Sequence, residues 1–235
     1  MKGLRVVLGV LLWVLVLGTS STLVSLGSMR GLISASSWLS AGTAVQGLIL
    51  ATSVALILIL SRGNPGPYGF KMPTVSAVRA ALVYGSFIAV FVHVALAVLW
   101  RMLPPSEGHP ALPGSSLLRV VLTVYILASI SEEVLHRGLV QTFLEPVKVY
   151  GVAVFRARIG APAIIAAALF GASHIMLLTT GAEGRLVAGI VASATVLGLV
   201  AGYYREKSGS LVPAILVHML FNAYGGVSEY IQNLL

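Results

Sequence analysis

Residues 31–61 read GLISASSWLSAGTAVQGLILATSVALILILS and contain no lysine, arginine or glutamate. A membrane-spanning helix needs about 20 mostly apolar residues, so this stretch by itself predicts a transmembrane helix. Five other runs also lack these residues, and a further candidate at 115–145 is apolar at its start but carries charged residues in its middle. We therefore predict an all-α, polytopic integral membrane bundle of about seven transmembrane helices. The other uncharged runs are 6–29, 80–100, 159–182, 186–204 and 208–228.

The composition excludes an ordinary water-soluble enzyme. Of the 235 residues, 57% are hydrophobic and only 9% are charged, whereas a soluble domain carries about 25% charged residues. The basic residues, 15 against seven acids, are scattered between apolar runs, as membrane-surface anchors are. We therefore expect membrane lipid as a partner and no nucleic acid. The chain has no cysteine, which excludes disulfides, thiolate zinc sites and cysteine nucleophiles.

The spans fill almost the whole chain, so the prediction is a single membrane domain over 1–235. Within it, a motif-bearing core covers about 115–225, and 1–103 form accessory transmembrane helices. We expect the first run to be a retained helix and not a cleaved signal peptide, because it is long and contains no alanine. The segment Lys148–Arg158 mixes basic and aromatic residues and is predicted to lie at the membrane interface.

The distribution of basic residues predicts the orientation. Cytoplasmic loops of membrane proteins carry an excess of lysine and arginine. With seven spans, one side has ten such residues and the other has four, which predicts a cytoplasmic N-terminus in the cytoplasmic membrane and an external C-terminus. The ten are Lys2, Arg5, Arg62, Lys71, Arg79, Lys148, Arg156, Arg158, Arg205 and Lys207, and the four are Arg30, Arg101, Arg119 and Arg185.

One span carries a cluster of ionisable residues, which are rare within membranes and usually functional there. Glu133 and Arg137 are four residues apart and share one helix face, which predicts an ion pair. Glu132 points to another face, with His136 one turn further on. The alternative is that these four residues form a polar cluster with a purely structural role, holding the helices of the bundle together. Because Glu132 has no evident partner within its own helix, we favour a functional role.

Three further histidines lie within spans. Phe170 precedes His174 by one turn on the same face, and His174 alone is compatible with a structural core histidine. His218 and Asn222 are also four residues apart, a spacing that suits either a site or hydrogen bonding between helices. His93 has no polar partner at helical spacing and is interpreted as structural.

The positions of these groups along their helices suggest one polar layer. At about 1.5 Å per residue, Glu132, His174 and His218 all lie roughly 15–20 Å from the predicted cytoplasmic ends. Glutamate and histidine can activate a water molecule for hydrolysis, while a second histidine and an asparagine amide can stabilise an oxyanion. The alternative is a zinc site with Glu132, His174 and His218 as ligands, although the usual His-Glu-x-x-His signature is absent.

The order Glu132-Glu133-x-x-x-Arg137, Phe170-x-x-x-His174, His218-x-x-x-Asn222 resembles the motifs of the CPBP family. That family comprises the CAAX proteases and the bacteriocin-processing or ABI-type membrane proteins, and the final asparagine resembles the Ras-converting CAAX endopeptidase branch. The resemblance covers about 115–225 and does not depend on the first two or three spans. The endopeptidases are usually drawn with eight spans, whereas this sequence shows seven.

The resemblance implies an all-helical intramembrane endopeptidase with a cavity open to the cytoplasm. By analogy, Glu132 and His174 activate water, and His218 and Asn222 stabilise the oxyanion. Glu133 and Arg137 would shape the site, together with Phe170. The family is often labelled metalloprotease, but the glutamate–water mechanism needs no metal, and we expect no cofactor, with Zn²⁺ as the alternative.

Three interpretations remain beside the metal-free protease. They are a zinc-dependent version of the same hydrolase, a non-catalytic family member acting as an immunity factor or membrane scaffold, and a small transporter with a proton relay. The substrate is predicted to be a membrane-associated protein or peptide. A prenylated C-a-a-X tail, a leader peptide and a membrane-protein segment all fit.

Overall fold

The computed structural model of the chain describes residues 2–33, 38–101, 117–154 and 157–232, with backbone only at 38–40, 100–101 and 227–232. The polar connection Pro104–Gly114 with Glu107 therefore lies outside the described residues. The same holds for Phe155 and Arg156 of the predicted interfacial segment.

Long apolar helices dominate the described part of the chain, which confirms the predicted all-α polytopic bundle. Five stretches are long and apolar enough to cross a membrane, and Val212–Gly226 is a shorter apolar helix. The protein is an integral membrane protein. The helices are α1 (Lys2–Met29), α2 (Trp38–Leu60), α3 (Val75–Arg101), α7 (Ala161–Ser173), α8 (Gly184–Ser208) and α9 (Val212–Gln232).

Residues 117–143 form one continuous helical segment, called the motif helix, which is not a regular α-helix. It is α-helical in three short parts and π-helical in the two parts between them. The α-helical parts are α4 (Leu117–Val120), α5 (Ser129–Glu133) and α6 (Gln141–Phe143), and the π-helical parts are Val121–Ala128 and Val134–Val140. Regular α-helical spacing therefore describes only part of this predicted span.

A small antiparallel hairpin follows the motif helix, where the sequence predicts an interfacial segment. Strand β1 (Gly151–Val154) pairs with β2 (Ala157–Gly160), with Gly151 opposite Gly160. The side chains of Val149, Tyr150 and Val152 are exposed. The segment is therefore extended and apolar at its surface, in an otherwise helical architecture.

Helices α7 and α8 pack closely through small residues. A Cβ atom added to Gly198 would lie 2.8 Å from the Cα of Ala167, and one added to Gly202 would lie 2.9 Å from the Cβ of Ala163. Such close contact lets two backbones approach, as it does in many membrane bundles. It also brings the end of α7, where His174 lies, against the interior of the bundle.

The buried apolar residues form two clusters, and the first of them includes residues of the motif helix. One includes Val16 of α1, Ile57 of α2 and Leu139, and the other includes Phe170 of α7 and Val217 of α9.

The outer surface of the bundle is also apolar. Leu11 and Leu15 of α1, and Phe87 and Phe91 of α3, are among many large apolar side chains that are exposed. A contiguous surface of this kind is unfavourable in water, and it is the surface that lipid chains cover in a bilayer.

Substitution of Gly198 by alanine should destabilise the protein. The added methyl group meets backbone atoms of α7, and overpacking of this kind costs about 1–3 kcal/mol. Gly18→Ala is the matched control, because nothing lies within 4 Å of its added Cβ. Thermal unfolding of the detergent-solubilised variants measures the difference, and equal unfolding temperatures would contradict the close α7–α8 packing.

Candidate active site

Glu132 and Glu133 lie in α5, the short α-helical part between the two π-helical parts of the motif helix. π-Helical turns inside α-helices frequently accompany functional sites. The two glutamates differ in environment: the Glu132 side chain is 17% exposed, and the Glu133 side chain is fully buried. Only Glu132 is therefore accessible to solvent or to a bound molecule.

Glu133 forms the predicted ion pair with Arg137. Arg137 Nη1 donates to Glu133 Oε1 over 2.9 Å, and both side chains are fully buried. The guanidinium also lies over the ring of Phe170, 4.9 Å from its centroid. The pair is thus enclosed by α7 as well as by its own helix.

His218 of α9 lies between the two glutamates. Its Nδ1 donates to Glu133 Oε1 over 2.9 Å, and its Nε2 lies 3.6 Å from Glu132 Oε2. The first distance is a hydrogen bond, and the second is longer than one. Glu133 therefore fixes the ring, while Nε2 points toward the more exposed carboxylate.

Phe170 is the contact that the three site histidines share. Its ring centroid lies 4.9 Å from that of His136, 5.0 Å from that of His174 and 5.3 Å from that of His218. The predicted packing of Phe170 against His174 is confirmed. The ring joins α7, α9 and the motif helix at one point.

The tautomer of His174 follows from its hydrogen bond. His174 Nδ1 lies 2.9 Å from the carbonyl oxygen of Phe170. A carbonyl oxygen can only accept a hydrogen bond, so Nδ1 carries the proton. In the neutral ring, Nε2 is then an acceptor. His174 is partly exposed, and this nitrogen can therefore accept a hydrogen bond from a water molecule.

Asn222 lies one turn from His218 on α9, but its amide is used within the bundle. Its Nδ2 donates to the carbonyl oxygen of Val124 and to Ser129 Oγ, both over 3.1 Å. Sequence spacing suggests that Asn222 and His218 are two donors directed at one oxygen. In the structure the amide instead joins α9 to the motif helix.

Glu132 has a partner from α2 that the sequence motifs do not indicate. Gln46 Nε2 donates to Glu132 Oε1 over 2.6 Å, and Ser131 Oγ donates to Gln46 Oε1. The prediction that Glu132 has no partner within its own helix agrees with this contact, because the partner comes from α2. The available signal is the Gln46 amide, a polar group within a predicted span that belongs to none of the motifs.

A second unpredicted partner comes from α1. Trp13 Nε1 donates to His136 Nε2 over 3.1 Å, and His136 Nδ1 donates to the backbone carbonyl of Glu132 over 2.8 Å. Both nitrogens of His136 are thus occupied. This histidine supports the glutamate turn and does not present a free nitrogen.

A family comparison covers the part of the chain that carries most of these residues. The sequence model described as Type II CAAX prenyl endopeptidase Rce1-like matches residues 114–224. The match supports the assignment of this segment to the CAAX protease family. No curated protein and no solved structure matches the chain. Membership supports an intramembrane peptidase activity and implies a membrane-associated protein as substrate.

The endopeptidase segment contains both glutamates, Arg137, Phe170, the three site histidines and Asn222. Trp13 and Gln46 lie outside it. The accessory helices α1 and α2 therefore contact the site of the endopeptidase segment through polar side chains.

Two of the three alternative zinc ligands, His174 and His218, have the hydrogen-bond pattern of zinc-bound histidines. Zinc-bound histidines usually donate their second nitrogen to a carbonyl or a carboxylate, as His174 and His218 do. However, no three His, Asp or Glu side chains are grouped as a metal site in the described residues. No step of the proposed reaction is therefore assigned to a metal.

Glu133→Gln or Arg137→Met should destabilise the fold strongly. Each leaves one buried charge without its partner, at about 3–5 kcal/mol. Glu145→Gln is the matched control, because its pair with Lys148 is at the surface, with the two side chains 55% and 40% exposed. Thermal unfolding in detergent should separate the two kinds of variant. If all three unfolded at the wild-type temperature, the buried pair would have no structural role.

Proposed function

We propose that the chain is an intramembrane endopeptidase that hydrolyses a peptide bond near the C-terminus of a membrane-associated protein. A prenylated CAAX-type tail is the substrate class that we favour. The observation that carries the proposal is the arrangement at Glu132. This carboxylate is the more exposed of two adjacent glutamates and faces His218, in a segment of the endopeptidase family.

In the proposed reaction, Glu132 is the general base. Water lies between Glu132 and Nε2 of His174, and its oxygen attacks the carbonyl carbon of the scissile bond as Glu132 takes its proton. The carbonyl electron pair moves onto oxygen. The tetrahedral intermediate then collapses, the C–N bond breaks, and Glu132 returns the proton to the leaving nitrogen. The products are a carboxylic acid and an amine.

His218 is proposed to stabilise the oxyanion through Nε2. Its Nδ1 already donates to Glu133, so donation from Nε2 as well requires the imidazolium form. Glu132, Glu133, Arg137 and the imidazolium then sum to zero charge within the buried site.

Asn222 is proposed as the second oxyanion donor. Its two amide hydrogens donate to Val124 and Ser129 in the structure, so a substrate oxygen would replace one of these acceptors.

The orientation is part of the proposal. Ten basic residues against four favour a cytoplasmic N-terminus, and the site would then open to the cytoplasmic side of the cytoplasmic membrane. A single membrane domain is proposed, with 115–225 as its catalytic core and 1–103 as accessory helices.

Glu132→Gln should abolish hydrolysis while the protein stays folded, because glutamine keeps the size and loses the basicity. Loss of a general base lowers the rate about 10²–10⁴-fold. Wild type and variant would be reconstituted in liposomes with a membrane-anchored reporter peptide, once with a prenylated CAAX tail and once without the prenyl group. Mass spectrometry of the peptide measures cleavage.

Glu183→Gln is the control for this experiment, since Glu183 pairs with Arg185 and belongs to none of the motifs. It should cleave like the wild type. An active Glu132→Gln variant would refute the assignment of the base, and a wild type that cleaves no reporter would favour a non-catalytic family member.

The reaction is proposed to need no zinc. Purified active protein should contain well under one zinc per chain, and activity should survive a chelator incubated long enough to reach a buried site. Elemental analysis and the cleavage assay measure the two quantities. Stoichiometric zinc whose removal abolishes activity, and whose return restores it, would replace this mechanism with the zinc-dependent one.

A further inference from the structure

We infer that Gln46 of the accessory helix α2 is a positioning residue for Glu132. The inference rests on the proposed function, in which Glu132 is the general base. Gln46 lies outside the segment that matches the endopeptidase family, so neither the motifs nor the family assigns it a role.

The contact is short and directional. Gln46 Nε2 donates to Glu132 Oε1 over 2.6 Å, and hydrogen bonds to a charged acceptor are about twice as strong as neutral ones. The bond joins residues 86 positions apart. The accessory helix α2, which precedes the motif helix in the chain, thus holds the carboxylate in place.

The Glu132 carboxylate determines which way the Gln46 amide points, because a carboxylate can only accept a hydrogen bond. The Ser131 hydroxyl, fully buried, contacts Gln46 Oε1. The opposite orientation would place Oε1 against the carboxylate, where two acceptors repel each other. The arrangement with Nε2 on Glu132 is therefore the favourable one.

Because of this hydrogen bond, the two oxygens of Glu132 have different contacts. Oε1 is held by Gln46, whereas Oε2 faces His218 Nε2. Oε2 is then the atom that takes the proton from water. Without Gln46, the carboxylate is free to rotate, and a misplacement of about 1 Å is enough to lower a rate by about 100-fold.

The backbone of the same glutamate is held separately. His136 donates to the carbonyl oxygen of Glu132, and Trp13 fixes His136. Loss of Gln46 therefore frees the carboxylate while the helix turn stays supported. This separation predicts a defect in the chemical step without a defect in folding.

The test compares Gln46→Met with Ser53→Ala in the reconstituted cleavage assay. Ser53 is a fully buried serine of the same helix with no hydrogen-bond partner for its hydroxyl in the described residues, so it controls for disturbance of α2. We expect kcat of Gln46→Met to fall about 10- to 100-fold. KM should change less than about two-fold, because uniform substrate binding is unaffected.

Two further variants make the test decisive if Gln46→Met does not fold. Gln46→Glu keeps the size and the acceptor for Ser131 but replaces the amide donor with a second carboxyl group that competes with Glu132 for a proton, and it should lower kcat at least as much as Gln46→Met. Ser131→Ala removes the hydroxyl that contacts Gln46 Oε1 and should lower kcat with little change in KM. Where Gln46→Met does fold, its combination with Ser131→Ala should lower kcat no further than Gln46→Met alone, because both act through the same hydrogen bond.

The outcomes separate this inference from the proposed function. Wild-type kcat in Gln46→Met or Gln46→Glu, in an assay where Glu132→Gln is inactive, overturns the positioning role alone. A rise in KM at unchanged kcat, or a loss of activity that follows a lowered unfolding temperature, also overturns it. An active Glu132→Gln variant refutes the proposed function itself.

Discussion

The buried ion pair between Glu133 and Arg137 is the interaction on which the site depends. Two charges removed from water are costly to bury, and the loss of either partner leaves the other charge buried and unpaired. In this site His218 donates to the same carboxylate oxygen as Arg137, and Phe170 covers the guanidinium. The pair therefore recruits α7 and α9 to the motif helix, and its neutral sum leaves Glu132 as the carboxylate that faces the site.

Much of this could be predicted from local spacing. Glu133 and Arg137 contact each other because residues four apart share a helix face, even though a π-helical part begins at Val134. Phe170 and His174 meet for the same reason. The apolar runs predicted the spans because a lipid environment leaves few alternatives to a helix.

The contacts between distant helices could not be predicted in this way. Trp13 and His136 are 123 positions apart, and Gln46 and Glu132 are 86 apart. No periodicity connects such pairs, because they depend on how whole helices pack. The hairpin strands at 151–154 and 157–160 are not predicted either, because strands of only four residues are too short to show a clear alternation of apolar and polar residues. The bonds of Asn222 likewise depend on which atoms of the motif helix face α9.

The central claim is that Glu132 activates water and does not attack the peptide itself. A single turnover in H₂¹⁸O, with protein in excess over a reporter peptide, tests it directly by mass spectrometry of both the product and the segment containing Glu132. If Glu132 is a general base, the new C-terminal carboxylate of the peptide contains ¹⁸O and the side chain of Glu132 contains none. If instead ¹⁸O enters Glu132 and the peptide product carries only ¹⁶O, the glutamate is a nucleophile and the general-base mechanism is contradicted.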